Sequence, residues 1–233
     1  MDTFAPLYMQ APLQYKLHDQ TFWISACRVL YWENEKALVV SDMHFGKTGH
    51  FRKAGIPVPQ TVYMEDLQRL VSQIQFFSPK SLYVVGDLFH SVANKELDLF
   101  YRWRHDLPSL EIKLIKGNHD ILKEDWYRKA GIDLVRDGMS INGICLTHDN
   151  DNCATKSYLD SSKEIKYTIS GHIHPGVTVK GLGRQSLSLP CFYFGNTVGV
   201  LPAFSHFTGT ATIRPEAGDS IFAIAGNKII RIA

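Results

Sequence analysis

The chain has 233 residues, 45% of them hydrophobic, and a formal net charge of +2. It is therefore long enough to form one large domain with a full core, and its near balance of charge neither requires nor excludes an anionic partner. No run of about 18 apolar residues occurs, so the sequence gives no indication of a membrane span. We predict a single domain over residues 1–233 with no membrane association.

The cellular location is predicted from the N-terminus and the cysteines. Residues 1–6 lack the basic and apolar segments of a signal peptide. The cysteines are scattered, with no Cys-x-x-Cys spacing of the kind found in zinc sites. Scattered cysteines are typical of reduced, buried thiols, so we expect a cytoplasmic protein.

The first half of the chain predicts strands followed by alternating helices and strands. Aromatic and β-branched residues predict a hairpin or meander at 21–24 and 29–32. The continuous apolar run at 37–40 is typical of a central strand covered on both faces. Amphipathic spacing and further apolar runs then predict, in order, a helix at 61–77, a strand at 81–85, a helix at 95–107, a strand at 112–115 and a helix at 123–130.

The second half predicts almost only short strands. They are expected at 132–135, 144–147, 167–170, 177–180, 186–189, 192–194, 210–213, 221–224 and 229–232. Strand-helix repeats followed by a strand-rich half favour an α/β fold. We therefore predict a two-sheet β-sandwich, with the sheets packed face to face and flanked by helices.

Polar residues that can bind a metal follow five of the predicted strands. Each motif alone is ambiguous, since Gly-Asn is ordinary turn chemistry and an Asp after a strand often caps a helix. Ligands in α/β sheets collect at the carboxyl ends of strands, which is where all of these motifs occur. They are Asp42-x-His44, Gly86-Asp87, Gly117-Asn118-His119-Asp120, His148 and Gly171-His172-Ile173-His174.

The ligand types limit the metal. Carboxylates, imidazoles and an amide oxygen, with no thiolate, suit manganese, iron or zinc. The set is too large for one ion. Two ions that share a bridging carboxylate, about 3.5–4 Å apart, fit it better, and such a pair can clamp a phosphoryl group and activate water.

The complete set of motifs resembles the calcineurin-like metallophosphoesterase superfamily over the span from Asp42 to His174. The resemblance implies a two-sheet sandwich with a dinuclear metal site. It assigns one metal to Asp42, His44 and His174, the other to Asn118, His148 and His172, and the bridging position to Asp87. Catalytic roles fall to Asn118 and to His119, which is implied to be a non-ligand beside the leaving group, where an imidazolium can donate a proton.

Further segments resemble the ligase-associated branch of that superfamily. They are 41–47, 50–59, 86–91, 189–192 and 201–204. Bacterial and archaeal members of this branch are associated with a DNA ligase and a helicase, and are described as manganese-dependent phosphodiesterases or endonucleases acting on DNA ends. One departure is Met43, where leucine is more usual. The branch implies two divalent ions, manganese first, with iron or zinc as alternatives.

Candidate substrate-binding residues lie near these motifs. Composition alone favours a solvated basic surface for the loop that carries Lys47, Arg52 and Lys53, whereas the resemblance favours phosphate binding there. His90 is a candidate pocket residue, and Arg184 is a candidate substrate contact.

The function predicted from this set is a metal-dependent phosphodiesterase that processes DNA ends, or cuts DNA internally, in repair. One alternative is a nucleotide-lipid pyrophosphatase resembling the UDP-diacylglucosamine hydrolases, which needs an apolar groove with an amphipathic lid. No obvious insert supplies that lid. The other alternative is a non-catalytic scaffold like some retromer-type relatives, which the intact set of metal ligands disfavours.

Overall fold

The computed structural model describes residues 10–47, 61–90, 95–149, 165–181 and 185–233. These residues form two β-sheets and three helices. The helices are α1 (Thr61–Phe77), α2 (Lys95–His105) and α3 (Glu124–Lys129). The strands are β1 (Leu13–Leu17), β2 (Gln20–Ser25), β3 (Val29–Trp32), β4 (Ala37–Ser41), β5 (Ser81–Val85), β6 (Glu111–Ile115), β7 (Ile132–Val135), β8 (Met139–Ile141), β9 (Ile144–Thr147), β10 (Tyr167–Ser170), β11 (Pro175–Lys180), β12 (Ser186–Phe194), β13 (Val198–Val200), β14 (Ala211–Thr212), β15 (Ser220–Ala225) and β16 (Lys228–Arg231).

The first sheet has the strand order β1-β2-β3-β4-β5-β6-β7. Its first four strands are antiparallel, and β4 to β7 run parallel. The second sheet has the order β14-β11-β12-β13-β10-β9-β8, with β15 paired to β12 and β16 to β15. Because β4, β5 and β6 are parallel, their carboxyl ends lie at one edge of the first sheet.

Two apolar cores lie on opposite faces of the first sheet. Along β4, Leu38 and Val40 join the helices in one core, while Ala37 and Val39 face the second sheet in the other. All five residues of β4 are buried, and so are all five of β5. The prediction of a central strand covered on both faces is therefore confirmed, as is the two-sheet α/β sandwich.

The structure differs from the predicted strands at several points. β1, β8 and β13 were not predicted, and β12 is one strand rather than two. Pro190 lies at the last register pair with β11, just before the partners change to β13 and β15, so it falls where a missing N–H is tolerated. Within β13, a Cβ on Gly199 would lie 2.9 Å from the Phe194 ring, which explains a residue of low strand propensity there.

The cysteines correct one expectation. Cys27 and Cys191 are free and buried, but Cys145 is disulfide-bonded. The prediction of reduced thiols is therefore wrong for Cys145, and the cysteines lose their value as an argument for a compartment. Separately, no helix among the described residues has the length and apolar character needed to span a membrane.

Candidate metal centre

The two sheets bring the predicted ligands to one end of the sandwich. An isolated bridge joins Ser41 to Ala203, and the backbone N–H of His172 donates to Asp42 Oδ2 at 3.0 Å. The second contact links the loop after β10 in the second sheet to the loop after β4 in the first. The ligand candidates follow β4, β5, β6, β9 and β10: Asp42 and His44, Asp87, Asn118, His148, and His172 with His174, respectively.

One cluster consists of Asp42, His44 and His174, whose ligand atoms all lie within 4.8 Å of one another. Asp42 Oδ1 and His174 Nε2 are 3.2 Å apart, and neither atom has a further hydrogen-bond partner within the described part of the chain. Two ligand atoms this close, with no other protein partner, can share a bound cation.

A second cluster consists of Asp42, Asp87 and His148. His148 Nε2 lies 3.6 Å from Asp87 Oδ2 and 3.0 Å from Asn118 Oδ1, while His172 Nδ1 is 3.2 Å from the same Nε2. All the members predicted for the second metal therefore converge on one point. Asp42, rather than Asp87, is the carboxylate common to both clusters.

The donor set fits a bound cation. Asp42 Oδ1, both ring nitrogens of His44 and His174 Nε2 are buried without a hydrogen bond in the residues that the structure describes. Each such group costs about 1–3 kcal/mol when unsatisfied. Burial mainly, aided by the charge of Lys47, lowers the pKa of His44 to about 3, so its imidazole is neutral near pH 7, the form that binds metals.

The backbone at the ligands is strained. Positive φ angles occur at Asp42 (52°), His44 (51°), Asp87 (48°), His172 (66°) and His174 (51°). A non-glycine residue in this region costs on the order of 1–3 kcal/mol, and such residues gather at ligand clamps and active sites. The surrounding hydrogen bonds therefore hold these candidate ligands in conformations that an isolated loop would avoid.

Three glycines allow the loops to approach so closely. A Cβ on Gly86 would lie 1.8 Å from His148 Nδ1, one on Gly117 would lie 2.2 Å from Asp87 Oδ1, and one on Gly171 would lie 2.6 Å from Asp42 Oδ2. Each glycine precedes a ligand or stands against one, so its missing side chain makes the space that the ligand fills.

Asp120 joins two of the loops. Its Oδ1 accepts the backbone N–H of Phe89 at 3.0 Å, and its Oδ2 accepts that of Gly117 at 2.9 Å. Burial raises the pKa of Asp120 to about 7, against the opposing effect of these two N–H donors. Asp120 therefore holds the loops after β5 and β6 together and makes contact with loop amides rather than with a ligand side chain.

Several predicted substrate and catalytic residues also lie at this centre. The rings of His119 and His90 stack with centroids 4.2 Å apart, and His90 lies 5.5 Å from the His44 ring. Half-buried Lys47 has a pKa lowered mainly by burial, with Asp42 and Asp87 acting in the opposite direction. The predicted contacts Arg52, Lys53 and Arg184 lie outside the described residues.

The sequence reasoning missed an arginine clamp behind the centre. Arg28 Nη1 donates to Ala203 O at 3.1 Å and to Ser205 O at 2.7 Å, and Arg69 also donates to this loop, at Phe204 O. The Ser205 N–H in turn donates to Asp42 O at 3.3 Å. The segment 201–204 resembles the ligase-associated branch in sequence, but only the tertiary contacts show that it lies against the backbone of Asp42.

Comparisons of the chain with family profiles and with solved structures each found a match. None of the curated proteins matches the chain. The calcineurin-like phosphoesterase family profile matches residues 35–143. Nuclease MPE of Pseudomonas putida has a solved structure with a TM-score of 0.76 and 25% identity, covering 95% of this chain and 100% of the nuclease.

The sequence profile and the solved structure both support the resemblance of this chain to the calcineurin-like metallophosphoesterase superfamily. The resemblance predicted from the sequence, to this superfamily and to its ligase-associated branch, is thereby confirmed. It supports a metal-dependent hydrolase, and the clusters around Asp42 are able to hold a divalent metal. The profile ends before His148, whereas the structural comparison covers 95% of the chain.

Proposed function

We propose that this protein is a dinuclear phosphodiesterase that hydrolyses DNA, processing ends or cutting internally during repair. The observation that carries the proposal is the convergence of two ligand clusters on Asp42 at the joined ends of the two sheets. The similar Pseudomonas putida protein is a nuclease, which supports a nucleic-acid substrate. The donors suit manganese, iron or zinc, and manganese is the first candidate because the ligase-associated branch that the chain resembles is described as manganese-dependent.

The proposed metal ligands divide as the family pattern implies. Asp87 would contribute to both sites, one metal would be held by Asp42, His44 and His174, and the other by Asn118, His148 and His172. When bound, divalent ions supply Lewis-acid stabilisation of phosphoryl oxygens and lower the pKa of the attacking water. His148 is oriented for this role, because its Nδ1 lies 3.3 Å from the carbonyl oxygen of Val85.

The proposed proton donor to the leaving oxygen is His119. Its backbone N–H, and not its ring, donates to Asp87 Oδ1 at 2.9 Å. The ring is therefore left to stack on His90, at the mouth of the centre and next to the His44 ring, with centroids 5.8 Å apart. A ring in this position can transfer a proton to the departing oxygen without leaving the metal sites incomplete.

Lys47 supports an anionic substrate. It follows the Asp42-x-His44 motif in the sequence, and its ammonium is close enough to Asp42 and Asp87 for both to act on its pKa. We propose that Lys47, with Arg52 and Lys53, contacts phosphates beside the scissile one. His90 and Arg184 remain proposed substrate contacts. A DNA ligase and a helicase are proposed partners, and a cytoplasmic location stays a prediction.

The decisive experiment is a hydrolysis screen of the purified protein. We expect turnover of bis-p-nitrophenyl phosphate and of single-stranded or end-bearing DNA with manganese, weaker turnover with zinc or magnesium, and none with chelator. A nucleotide-lipid pyrophosphatase would instead prefer a nucleoside diphosphate linked to lipid. A scaffold would hydrolyse nothing under any of these conditions.

A triple variant tests the DNA part of the proposal. Replacing Lys47, Arg52 and Lys53 with alanine should raise KM for DNA far more than for bis-p-nitrophenyl phosphate, which has no flanking phosphates. The salt dependence of DNA binding should also become shallower, by up to about one unit per lost phosphate contact. An equal rise in KM for both substrates would mean that these three residues stabilise the metal centre rather than bind DNA.

A further inference from the structure

A cavity of about 260 Å³ opens beside the centre, and Lys47 is not among its lining residues. Its lining includes three proposed ligands of the second metal: Asn118, His148 and His172. The lining also includes Lys116 and Arg136, two cations that neither the sequence pattern nor the proposed ligand set assigns. A substrate phosphate held at the second metal would therefore have a pocket with positive side chains directly beside it.

The fold fixes the two cations next to each other. Lys116 and Arg136 are the first residues after β6 and β7, which are parallel neighbours with Ile115 in register with Val135. The Lys116 N–H donates to Val135 O at 2.8 Å, which continues the ladder by one step. Both side chains therefore leave the carboxyl edge of the first sheet from adjacent positions.

Both cations are available to a ligand. Lys116 is exposed. Arg136 pairs with Glu124 at 2.6 Å, but the two side chains are 74% and 54% exposed. Exposed pairs of this kind are weak and are screened by salt, whereas a guanidinium binds phosphate through two charge-assisted hydrogen bonds. The pair with Glu124 therefore leaves Arg136 able to contact a phosphate.

The cavity also contains carboxylates, which restrict what fits. Asp137 and Asp149 contribute to its lining, and Thr147 Oγ1 lies 3.1 and 3.0 Å from their backbone carbonyl oxygens, to either of which its one hydrogen can be donated. A bare phosphate would meet repulsion from these side chains. A nucleotide presents a phosphate to the cations and hydrogen-bond donors of its base to the carboxylates.

We propose that this cavity binds the nucleotide next to the scissile phosphate, with Lys116 and Arg136 contacting that nucleotide's own phosphate. The inference rests on the proposed DNA phosphodiesterase function and adds a specificity-determining subsite to it. A volume below the roughly 300–1,000 Å³ of drug-sized ligand pockets is consistent with one nucleotide unit. Substrate is then contacted at two separate places, by Lys47 and by this subsite.

The test compares Lys116→Ala and Arg136→Ala with a matched control. The control is Arg128→Ala, which removes an exposed arginine of α3. Arg128 pairs with Asp125 at 3.1 Å and does not line the cavity. We expect Lys116→Ala and Arg136→Ala each to raise KM for a short oligonucleotide about 3- to 10-fold. The rise in KM for bis-p-nitrophenyl phosphate should be at least about threefold smaller. Arg128→Ala should resemble wild type on both substrates, and Glu124→Gln should lower the oligonucleotide KM about twofold by releasing Arg136.

Binding provides a readout that does not need turnover. The affinity of a labelled single-stranded oligonucleotide, measured by anisotropy with chelator over a salt series, should lose about 0.7 from its salt slope for each phosphate contact removed. The subsite is overturned if wild type cleaves DNA while both variants match Arg128→Ala, or if both substrates suffer equally. Absence of DNA cleavage and DNA binding by wild type would instead overturn the proposed function itself.

Discussion

Asp87 and Asp42 are competing candidates for the shared ligand. The family pattern gives the bridge to Asp87, whereas the geometry makes Asp42 the carboxylate common to both clusters. Both side chains are almost completely buried, so an asparagine at either position removes a charge that no solvent can replace. The two positions differ in their backbone contacts. Asp42 Oδ2 accepts the backbone N–H of His172, whereas Asp87 Oδ1 accepts the backbone N–H of His119.

We expect Asp87→Asn to reduce metal occupancy and activity more than any other single ligand change, because one lost charge weakens both ions. Elemental analysis of the purified variant, beside Asp42→Asn and wild type, measures this directly. Two ions still bound per chain in Asp87→Asn would rule out the bridging assignment. A larger loss in Asp42→Asn would transfer that role to Asp42.

His119 should act on the leaving group without binding metal. His119→Ala is expected to keep its metal content and lose roughly 10²–10⁴-fold in rate, the range of a positioned acid–base group. The backbone bond from residue 119 to Asp87 survives the substitution, so the ligand geometry should persist. The loss should shrink with a good leaving group, which needs no proton. Collapse of the metal content would show that His119 is a ligand.

At the scale of the elements, the strand-end loops depend on contacts that leave no room for a side chain. Gly117→Ala would place a Cβ 2.2 Å from Asp87 Oδ1 and 2.4 Å from the Asp87 backbone nitrogen. We expect a loss of about 1–3 kcal/mol in the free energy of unfolding, typical of overpacking, together with weaker metal binding. Urea denaturation and metal titration measure the two effects.

Gly209→Ala is the matched control for this substitution. A Cβ on Gly209 would meet no atom within 4 Å among the described residues. The control should therefore retain both the stability and the metal affinity of the wild type. Similar behaviour of the two alanine variants would contradict the close approach of the β5 and β6 loops.

The loop after β13 is held by charged side chains that make its stability depend on pH. His206 Nε2 lies 2.7 Å from Arg69 Nη1, and His206 Nδ1 lies 4.0 Å from Asp66 Oδ1. Burial first, then the charges of Arg69 and Arg28, lowers the pKa of His206 to about 3. In the unfolded chain the pKa is about 6.5, so the unfolded state takes up this proton first as the pH falls.

Because of His206, the free energy of unfolding should therefore decrease as the pH falls from about 6.5 towards 3. We expect His206→Gln to show a smaller fall in Tm than wild type between pH 7.5 and 5.0. The exposed residue His105 on α2 offers the control substitution His105→Gln. Equal pH dependence of wild type and His206→Gln would mean that His206 is solvated rather than held at the arginine clamp.

At the scale of the whole molecule, metal binding should stabilise the sandwich. The buried donors without hydrogen bonds and the strained ligand backbone lower the stability of the metal-free protein. A ligand at 100 times its Kd adds about 2.7 kcal/mol, which for a chain of this length corresponds to roughly 5–10 °C in Tm. Scanning calorimetry with manganese and with chelator should show this difference, and Asp42→Asn should reduce it. Identical Tm values in both conditions would contradict a metal centre between the sheets.

The sequence by itself determined the types of most elements and the places where the candidate ligands occur. Apolar runs covered on both faces identified β4 and β5 because strands buried on both sides need no alternation. Polar motifs directly after those strands then predicted the centre, since the carboxyl ends of parallel strands meet at one edge. Short or irregular strands such as β8, β12 and β13 were missed or divided, because their residues are selected by packing rather than by local propensity.

Only the tertiary structure decided how the ligands are held. Asp120 joins loops through Phe89, 31 residues away in sequence, and Arg28 reaches Ser205 across 177 residues. The sharing of Asp42 between two clusters likewise needs both sheets in place. No local pattern encodes these contacts, because each partner looks like an ordinary loop residue until the chain has folded. Residue type therefore determined the available chemistry, and long-range packing determined its geometry.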